Sequence, residues 1–275
     1  MKIVKGVITQ GRFEIPYRIY GDGPDTMVCV SGAQQTMAVW RSMVSYFADS
    51  YRIVTFDFPG LGRSRYLAGP YKVSFEEQMS ILEAIIETVG CDTDLTLVGS
   101  SWGTIIVAAY AARYPDEVDS LVLGSFGVKP NKTMLRLIKE GRSLYERGCR
   151  EEAAHLIIDG FGQNITKGYK KAIIEQFRRM TDEQADTFYN HSGFVESVDN
   201  LEDLIDLSKI KARTLIINGA NDTILDMEDM EVATSQIPNC ESLIIEDVGH
   251  FLHFERPDIL GIYAQFLTPE QPALP

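Results

Sequence analysis

The residues best able to do chemistry in this chain are a serine, an aspartate and a histidine set far apart. They are Ser101 in "GSSWG", Asp222 in "NGANDTI" and His250 in "DVGHF". A serine hydroxyl becomes a nucleophile when a base takes its proton, and the base needs a carboxylate to fix its tautomer. Gly99-Ser100-Ser101-Trp102-Gly103 has the G-x-S-x-G form of a strand–turn–helix elbow, where side chains at the glycines would collide with strand and helix. Only Ser101 is central in it; Ser100 is the variable residue before the nucleophile. The bare pentapeptide is weak evidence. Its setting carries the weight, because apolar "DLTLV" precedes it and apolar "TIIVAAYAA" follows at once.

The base must come from His155, His191, His250 or His253. His155 falls among apolar residues of a helical stretch, and a packed or surface role fits it better. His191, in "FYNHSGF", is a candidate for the pocket wall. His250 follows the strand-like "LIIEDVG", which puts it at the carboxyl edge of a sheet, where open α/β sheets bind ligands. His253 lies one turn further on and reads as a neighbour. Asp222 ends "RTLIINGAND" at the same edge; a lone aspartate there can also simply make a turn, as Asn221 can. Asp247, three residues before His250, is the weaker rival. The chain order Ser101, Asp222, His250 agrees with the order expected of this elbow.

A tetrahedral oxyanion needs two aligned N–H donors. The expected donors are the amides of Trp102 and of Ala33, where Gly32 in "VSGAQQT" lets the backbone turn inward. Gly32, Gln34, His191 and Phe251 are the expected pocket residues. No metal-ligand spacing, P-loop or G-x-G-x-x-G turn occurs, so neither metal nor cofactor is expected. "PGLGRS" has glycines but lacks the lysine of a phosphate loop.

Several elements must position these groups. Strands are expected on both sides of Gln10-Gly11, then at "TMVCV", "YRIVTF", "DLTLVGS", "VDSLVLG", "RTLIING" and "ESLIIED". Helices are expected after the capping box Ser74-Phe-Glu-Glu77, after the elbow as far as Tyr114-Pro115, over about 226–237, and after Pro257. Apolar strands alternating with amphipathic helices imply a mostly parallel sheet covered on both faces. From about Val128 to Leu207 the strand pattern gives way to helical spacing, with a second capping box at Thr181-Asp-Glu-Gln184. The proline-rich tail is expected to fray.

Composition sets the bounds. The chain has 275 residues and a net charge of −13, which argues against nucleic acid as the main partner. Four cysteines without a C-x-x-C pair fit a reducing cytoplasm. The N-terminus lacks the apolar stretch of a signal peptide, and no run is long enough to span a membrane. Between Lys129 and Arg179 stand twelve Lys and Arg against six Asp and Glu. That basic stretch reads equally as solvated helix faces or as a landing surface for something acidic.

These motifs resemble the α/β-hydrolase superfamily over nearly the whole chain. "FDFPGLGRS" is similar to its Asp-x-Pro-Gly-x-Gly-x-Ser loop, "GSSWG" to its elbow, "NGANDTI" to its acid loop and "DVGHFLHFERP" to its histidine loop. The resemblance implies an α/β-hydrolase fold, with a mostly parallel eight-stranded sheet flanked by helices. It implies a core at 1–127 and 208–275 and a helical cap at 128–207 that roofs the site. A narrower resemblance, in "SSWGT", "INGANDTI", "GHFLHFE" and "NKTMLRLIKEGRSLYE", is to bacterial 3-(3-hydroxyalkanoyloxy)alkanoic acid synthases and 3-hydroxyacyl carrier-protein transacylases. It implies Ser101, Asp222 and His250 as the triad and 3-hydroxyacyl thioesters as substrates. It also implies an acidic acyl carrier protein as partner for the basic cap. Gly99-Ser100 before the nucleophile and an ordinary Pro-Gly-x-Gly loop depart from that pattern and leave the acceptor open. With water as acceptor the protein would be an esterase or thioesterase. A non-catalytic binding protein on the same fold is the reading from another class.

Overall fold

The computed structural model describes residues 1–198 and 200–268. The tail expected to fray lies, from residue 269 on, outside the described residues. Nine strands form one sheet: β1 (Ile3–Gln10), β2 (Phe13–Tyr20), β3 (Asp25–Val30), β4 (Tyr51–Phe56), β5 (Arg65–Tyr66), β6 (Leu95–Ser100), β7 (Ser120–Gly124), β8 (Arg213–Gly219) and β9 (Cys240–Ile245). Eight of them follow the order β1-β2-β4-β3-β6-β7-β8-β9, and β5 pairs with β2 off that path. The expected count of eight is therefore one short. Two residues are too few to show a period, so β5 left no trace in the pattern. β1 with β2 and β2 with β4 run antiparallel, and every pairing from β4 to β9 is parallel.

Strand alternation sorts the core onto two faces. Val28, Val30, Val54, Leu97, Leu121, Leu123 and Ile216 pack on one side. There they meet α2 (Phe75–Val89), through Ile81, Leu82 and Ile85, and α3 (Trp102–Arg113). Met27, Cys29, Ile53, Val98, Val122, Leu215 and Ile217 pack on the other. They meet α1 (Arg41–Phe47), through Met43 and Phe47, and α10 (Ile259–Leu267), through Tyr263 and Phe266. α8 (Met227–Gln236) and the short α9 (Leu252–Glu255) complete this part.

Between β7 and β8 lie α4 (Lys132–Glu146), α5 (Arg150–Phe161), α6 (Lys167–Arg178) and α7 (Asp182–Ser197). Asn131, Thr166 and Thr181 each cap a helix by accepting an N–H bond, and Thr181 with Gln184 closes a full capping box. Ala154, Ile157, Phe177, Met180 and Ala185 form a small apolar cluster of their own among these helices.

The order of strands decides where a site can form. The chain leaves β3 for β4 on one side and then crosses to β6 on the other, so β3 and β6 are neighbours with diverging connections. Val30 pairs with Gly99, which brings residues 31–33 and 100–102 out of the sheet side by side.

Candidate active site

Ser101 stands at the turn between β6 and α3 with φ 51° and ψ −123°, a conformation that costs an L-residue about 1–3 kcal/mol. The flanking glycines show why the turn can exist. A Cβ on Gly99 would lie 2.5 Å from Thr104 Cα, and one on Gly103 would lie 2.1 Å from the Val30 carbonyl. The Ser101 N–H donates to the Gly124 carbonyl at 2.8 Å, which ties the strained turn to β7.

His250 Nε2 lies 2.8 Å from Ser101 Oγ, and His250 Nδ1 lies 2.7 Å from Asp222 Oδ2. Both the imidazole and the carboxylate are buried. Asp222 Oδ1 accepts from the Ile224 N–H at 3.1 Å, so both carboxylate oxygens are engaged. The Asn221 N–H donates to the Val248 carbonyl at 2.8 Å and locks the acid loop to the histidine loop. Asp247 is exposed, in a left-handed turn at φ 61°, and takes no part.

Three supports of this array are hard to read from sequence. Ser125 Oγ donates to the His250 carbonyl at 2.7 Å from a buried, left-handed position after β7. The Glu255 carboxylate accepts from the N–H groups of Gly249 and Phe251, on both sides of His250. Phe161 presents its ring edge-on to the imidazole at 5.7 Å. Each lies in another loop or helix, so only "LGSF" and "HFLHFE", polar residues at the ends of apolar runs, could have hinted at the first two.

Gly32 lies against the Ser100 carbonyl and the Ser101 side chain. A Cβ there would sit 2.9 Å from the Ser100 carbonyl and 3.0 Å from Ser101 Cβ. The Gly32 N–H bonds Gln35 Oε1 at 3.0 Å, and Gln34 takes φ 61°, so the loop turns tightly over the elbow. The Trp102 N–H opens α3 and has no acceptor within its own helix. Trp102 and Ala33 both border a cavity of about 150 Å³ that contains Ser101 and His250. Gly32 and Gln34 border a smaller cavity beside it, with His191 common to both.

The main cavity is apolar over most of its wall. Met134, Ile138, Ile157, Phe161 and Val195 close it from the inserted helices, and Phe251 lines it from the histidine loop. His191, on α7, stands edge-on to Trp102 at 4.5 Å, and Trp102 Nε1 donates to Gln78 Oε1 at 2.8 Å. Burial pulls the His191 pKa down to about 4, so its imidazole is neutral at pH 7. His253 is also drawn down to about 4 by burial, packed edge-on to Trp40 and Tyr263 behind the site. His155 is exposed on α5, far from this array in role. Among the described residues no cluster of His, Cys, Asp and Glu could hold a metal, and no helix is long and apolar enough to cross a membrane.

The profile of the alpha/beta hydrolase fold matches residues 25–257. The chain belongs to this alpha/beta hydrolase family. Within it, the chain is 24% identical over 256 residues to an (R)-3-hydroxydecanoyl-ACP:CoA transacylase of Pseudomonas putida, covering 87% of this chain and 82% of that one. It is 25% identical over 234 residues to a monoacylglycerol lipase of Xenopus laevis, covering 80% and 68%. Among solved structures, an alpha/beta hydrolase enzyme from a Medee basin deep-sea metagenome library superposes with TM-score 0.84 at 20% identity, covering 98% and 100%. A membrane phospholipase A described as a bacterial virulence factor superposes with TM-score 0.75 at 26% identity, covering 96% and 86%. In this alpha/beta hydrolase the turn at Ser101 and the loops that carry Asp222 and His250 meet at one sheet edge.

Proposed function

We propose that this protein is a serine enzyme that transfers acyl groups from an ester or thioester. The observation that carries the reading is the continuous chain of hydrogen bonds from Ser101 Oγ through His250 to Asp222. In the first half-reaction Ser101 Oγ bonds to the carbonyl carbon while its proton passes to His250 Nε2. Asp222 holds Nδ1–H and stabilises the imidazolium that results. The carbonyl oxygen becomes an oxyanion facing the amides of Trp102 and Ala33. The tetrahedral intermediate collapses, His250 returns the proton to the departing alkoxide or thiolate, and acyl-Ser101 remains. An acceptor water, hydroxyl or thiol then gives its proton to His250 and attacks the acyl carbon, and His250 returns that proton to Ser101 Oγ as the bond to the acyl carbon breaks.

The apolar wall of the cavity suits an acyl chain, and the likeness to the Pseudomonas putida transacylase supports 3-hydroxyacyl thioesters as donors with a group other than water as acceptor. The lipase relative supports the alternative, in which water accepts and the protein is an esterase or thioesterase. The helices of 128–207 serve as a cap in both readings, since side chains of α4, α5 and α7, Met134, Ile138, Ile157, Phe161 and Val195 among them, line the cavity at the serine. All four cysteines are unpaired, which supports a reducing compartment such as the cytoplasm.

Docking of an acidic carrier protein on the cap draws less support. Arg142, Arg150 and Lys129 already pair with Glu196, Asp182 and Asp229, acids outside the basic stretch. The test is mass-spectrometric product analysis after incubation with a 3-hydroxydecanoyl thioester, with Ser101→Ala as control. A dimeric hydroxyacyl ester or a transferred acyl thioester supports transfer; free 3-hydroxy acid alone makes water the acceptor. No Ser101-dependent product rejects the proposed donor class.

A further inference from the structure

A second cleft opens on the other side of the oxyanion loop, between β1, β2, α1 and the loop after β4. Its volume is about 670 Å³, against about 150 Å³ for the cavity at Ser101. Four cations line it: Lys5 on β1, Arg18 on β2, Arg41 at the start of α1 and Arg63 beyond β4. Among the described residues none of the four is within ion-pair distance of a carboxylate. Arg18 is half-buried at the floor, and its guanidinium donates to Tyr20 Oη at 3.2 Å. The acidic side chain in the lining is Asp57, which is buried and accepts from the Met37 N–H.

This concentration is unusual for a chain of net charge −13. The cations of the inserted helices are largely spent on neighbours: Arg136, Arg142, Arg150, Lys170, Arg178 and Arg179 all have carboxylate partners. Asp57 lies within electrostatic reach of Arg18, so four cations face this space against one carboxylate, and that excess raises the local concentration of anions there. The walls between the cations are apolar and aromatic. Val7, Pro16 and Val44 contribute, and Tyr17 lies across Gly6 so closely that a Cβ there would meet its ring at 2.3 Å. The planar guanidinium fork of arginine can bond two oxygens of a phosphate at once.

We propose that this cleft binds a phosphate ester, a small molecule carrying phosphate or pyrophosphate beside an apolar or aromatic portion. Its wall at Thr36 and Met37 continues the oxyanion loop. Ala33 and Met37 are four residues apart, at most about 14 Å of chain. A ligand in the cleft is thus within an arm's length of Ser101. The phosphate can belong to the acyl donor or to a separate small molecule.

Isothermal titration with inorganic pyrophosphate and with ADP, at 0.15 M salt, tests the site without reference to catalysis. The expected result is saturable binding, stronger for ADP, that weakens at least tenfold in the double variant Arg18→Gln/Arg63→Ala and holds in Lys139→Ala. If Arg18→Gln does not fold, the exposed pair Arg41→Ala/Arg63→Ala serves in its place. Absence of saturable binding, or equal weakening in Lys139→Ala, overturns the proposal. Turnover of a coenzyme A thioester and of its phosphate-free N-acetylcysteamine counterpart identifies the source. A rise in KM for the first alone marks the phosphate as the donor's. KM unchanged for both in the double variant, while the unaltered protein binds pyrophosphate, marks a separate ligand.

Discussion

Gly219 and Val248 approach until a Cβ on the glycine would stand 2.3 Å from the Val248 carbonyl oxygen. This crossing, where β8 ends beneath the histidine loop, is what carries Asp222 to His250. Gly219→Ala must push the two loops apart. The expected cost is about 1–3 kcal/mol of stability, as for other overpacked sites, with a drop in kcat larger than any change in KM. Thermal melting and steady-state kinetics on the same preparation check both.

Asp222→Asn keeps the shape of the acid but presents an amide where the carboxylate accepts the Nδ1 proton. The imidazole is then driven toward the wrong tautomer, and Ser101 loses its base. A fall of about 10³–10⁴-fold in kcat is expected, with little change in melting temperature. Kinetics on a simple aryl ester read it directly.

Ser125 acts through the backbone of His250, not through the reacting atoms. Ser125→Ala removes the 2.7 Å bond to the His250 carbonyl and leaves that buried oxygen unsatisfied. About 1–3 kcal/mol of stability should be lost. kcat should fall well short of the loss in Asp222→Asn, and KM should hold. Ser125→Gly, which suits the left-handed backbone but also lacks the hydroxyl, separates loss of the bond from backbone strain.

Acid should destabilise the protein earlier than its carboxylates alone would. His191 and His253 have folded pKa values near 4, against 6.5 when unfolded. The unfolded chain therefore binds more protons between these limits, and stability falls as pH drops from about 6.5 to 4. Asp57 works the other way, because burial raises it to about 6 and protonation relieves it. Two histidines outweigh one aspartate, so the net effect is a loss of about 4 kcal/mol. Melting temperature should fall as pH drops below 6.5, and His253→Phe should remove most of that dependence, because His191 and Asp57 then nearly cancel.

On the proposed acyl transfer, the cavity at Ser101 should set a chain-length preference. At about 150 Å³ it matches a space that holds one benzene-sized ligand, so long acyl chains require the inserted helices to part. Ile138, buried in its wall, is the residue to shorten. Ile138→Ala should raise kcat/KM for longer acyl esters relative to butyryl by about fourfold per extra methylene accommodated, given about 0.8 kcal/mol for each. Ester panels from four to ten carbons measure it.

Much of this arrangement is legible in the sequence because local sterics write it there. Gly99 and Gly103 are glycines because backbone passes within a Cβ's reach of each, and the apolar runs beside them name strand and helix. The capping residues at Ser74 and Thr181 mark helix starts for reasons confined to one turn. What stays hidden is what depends on distant partners. Glu255 holds the histidine loop through two N–H groups, yet in sequence it is one carboxylate among 39. The cations of 129–179 look free in a charge count, and only the packed helices show which are paired. β5, at two residues, has no period to read.

The most direct test of the account is covalent labelling with a fluorophosphonate, read by peptide mass spectrometry. The account predicts one adduct, on Ser101, retained in Ser100→Ala and lost in both Ser101→Ala and His250→Ala. An intact, folded protein that takes no label, or takes it on a serine other than Ser101, would contradict it.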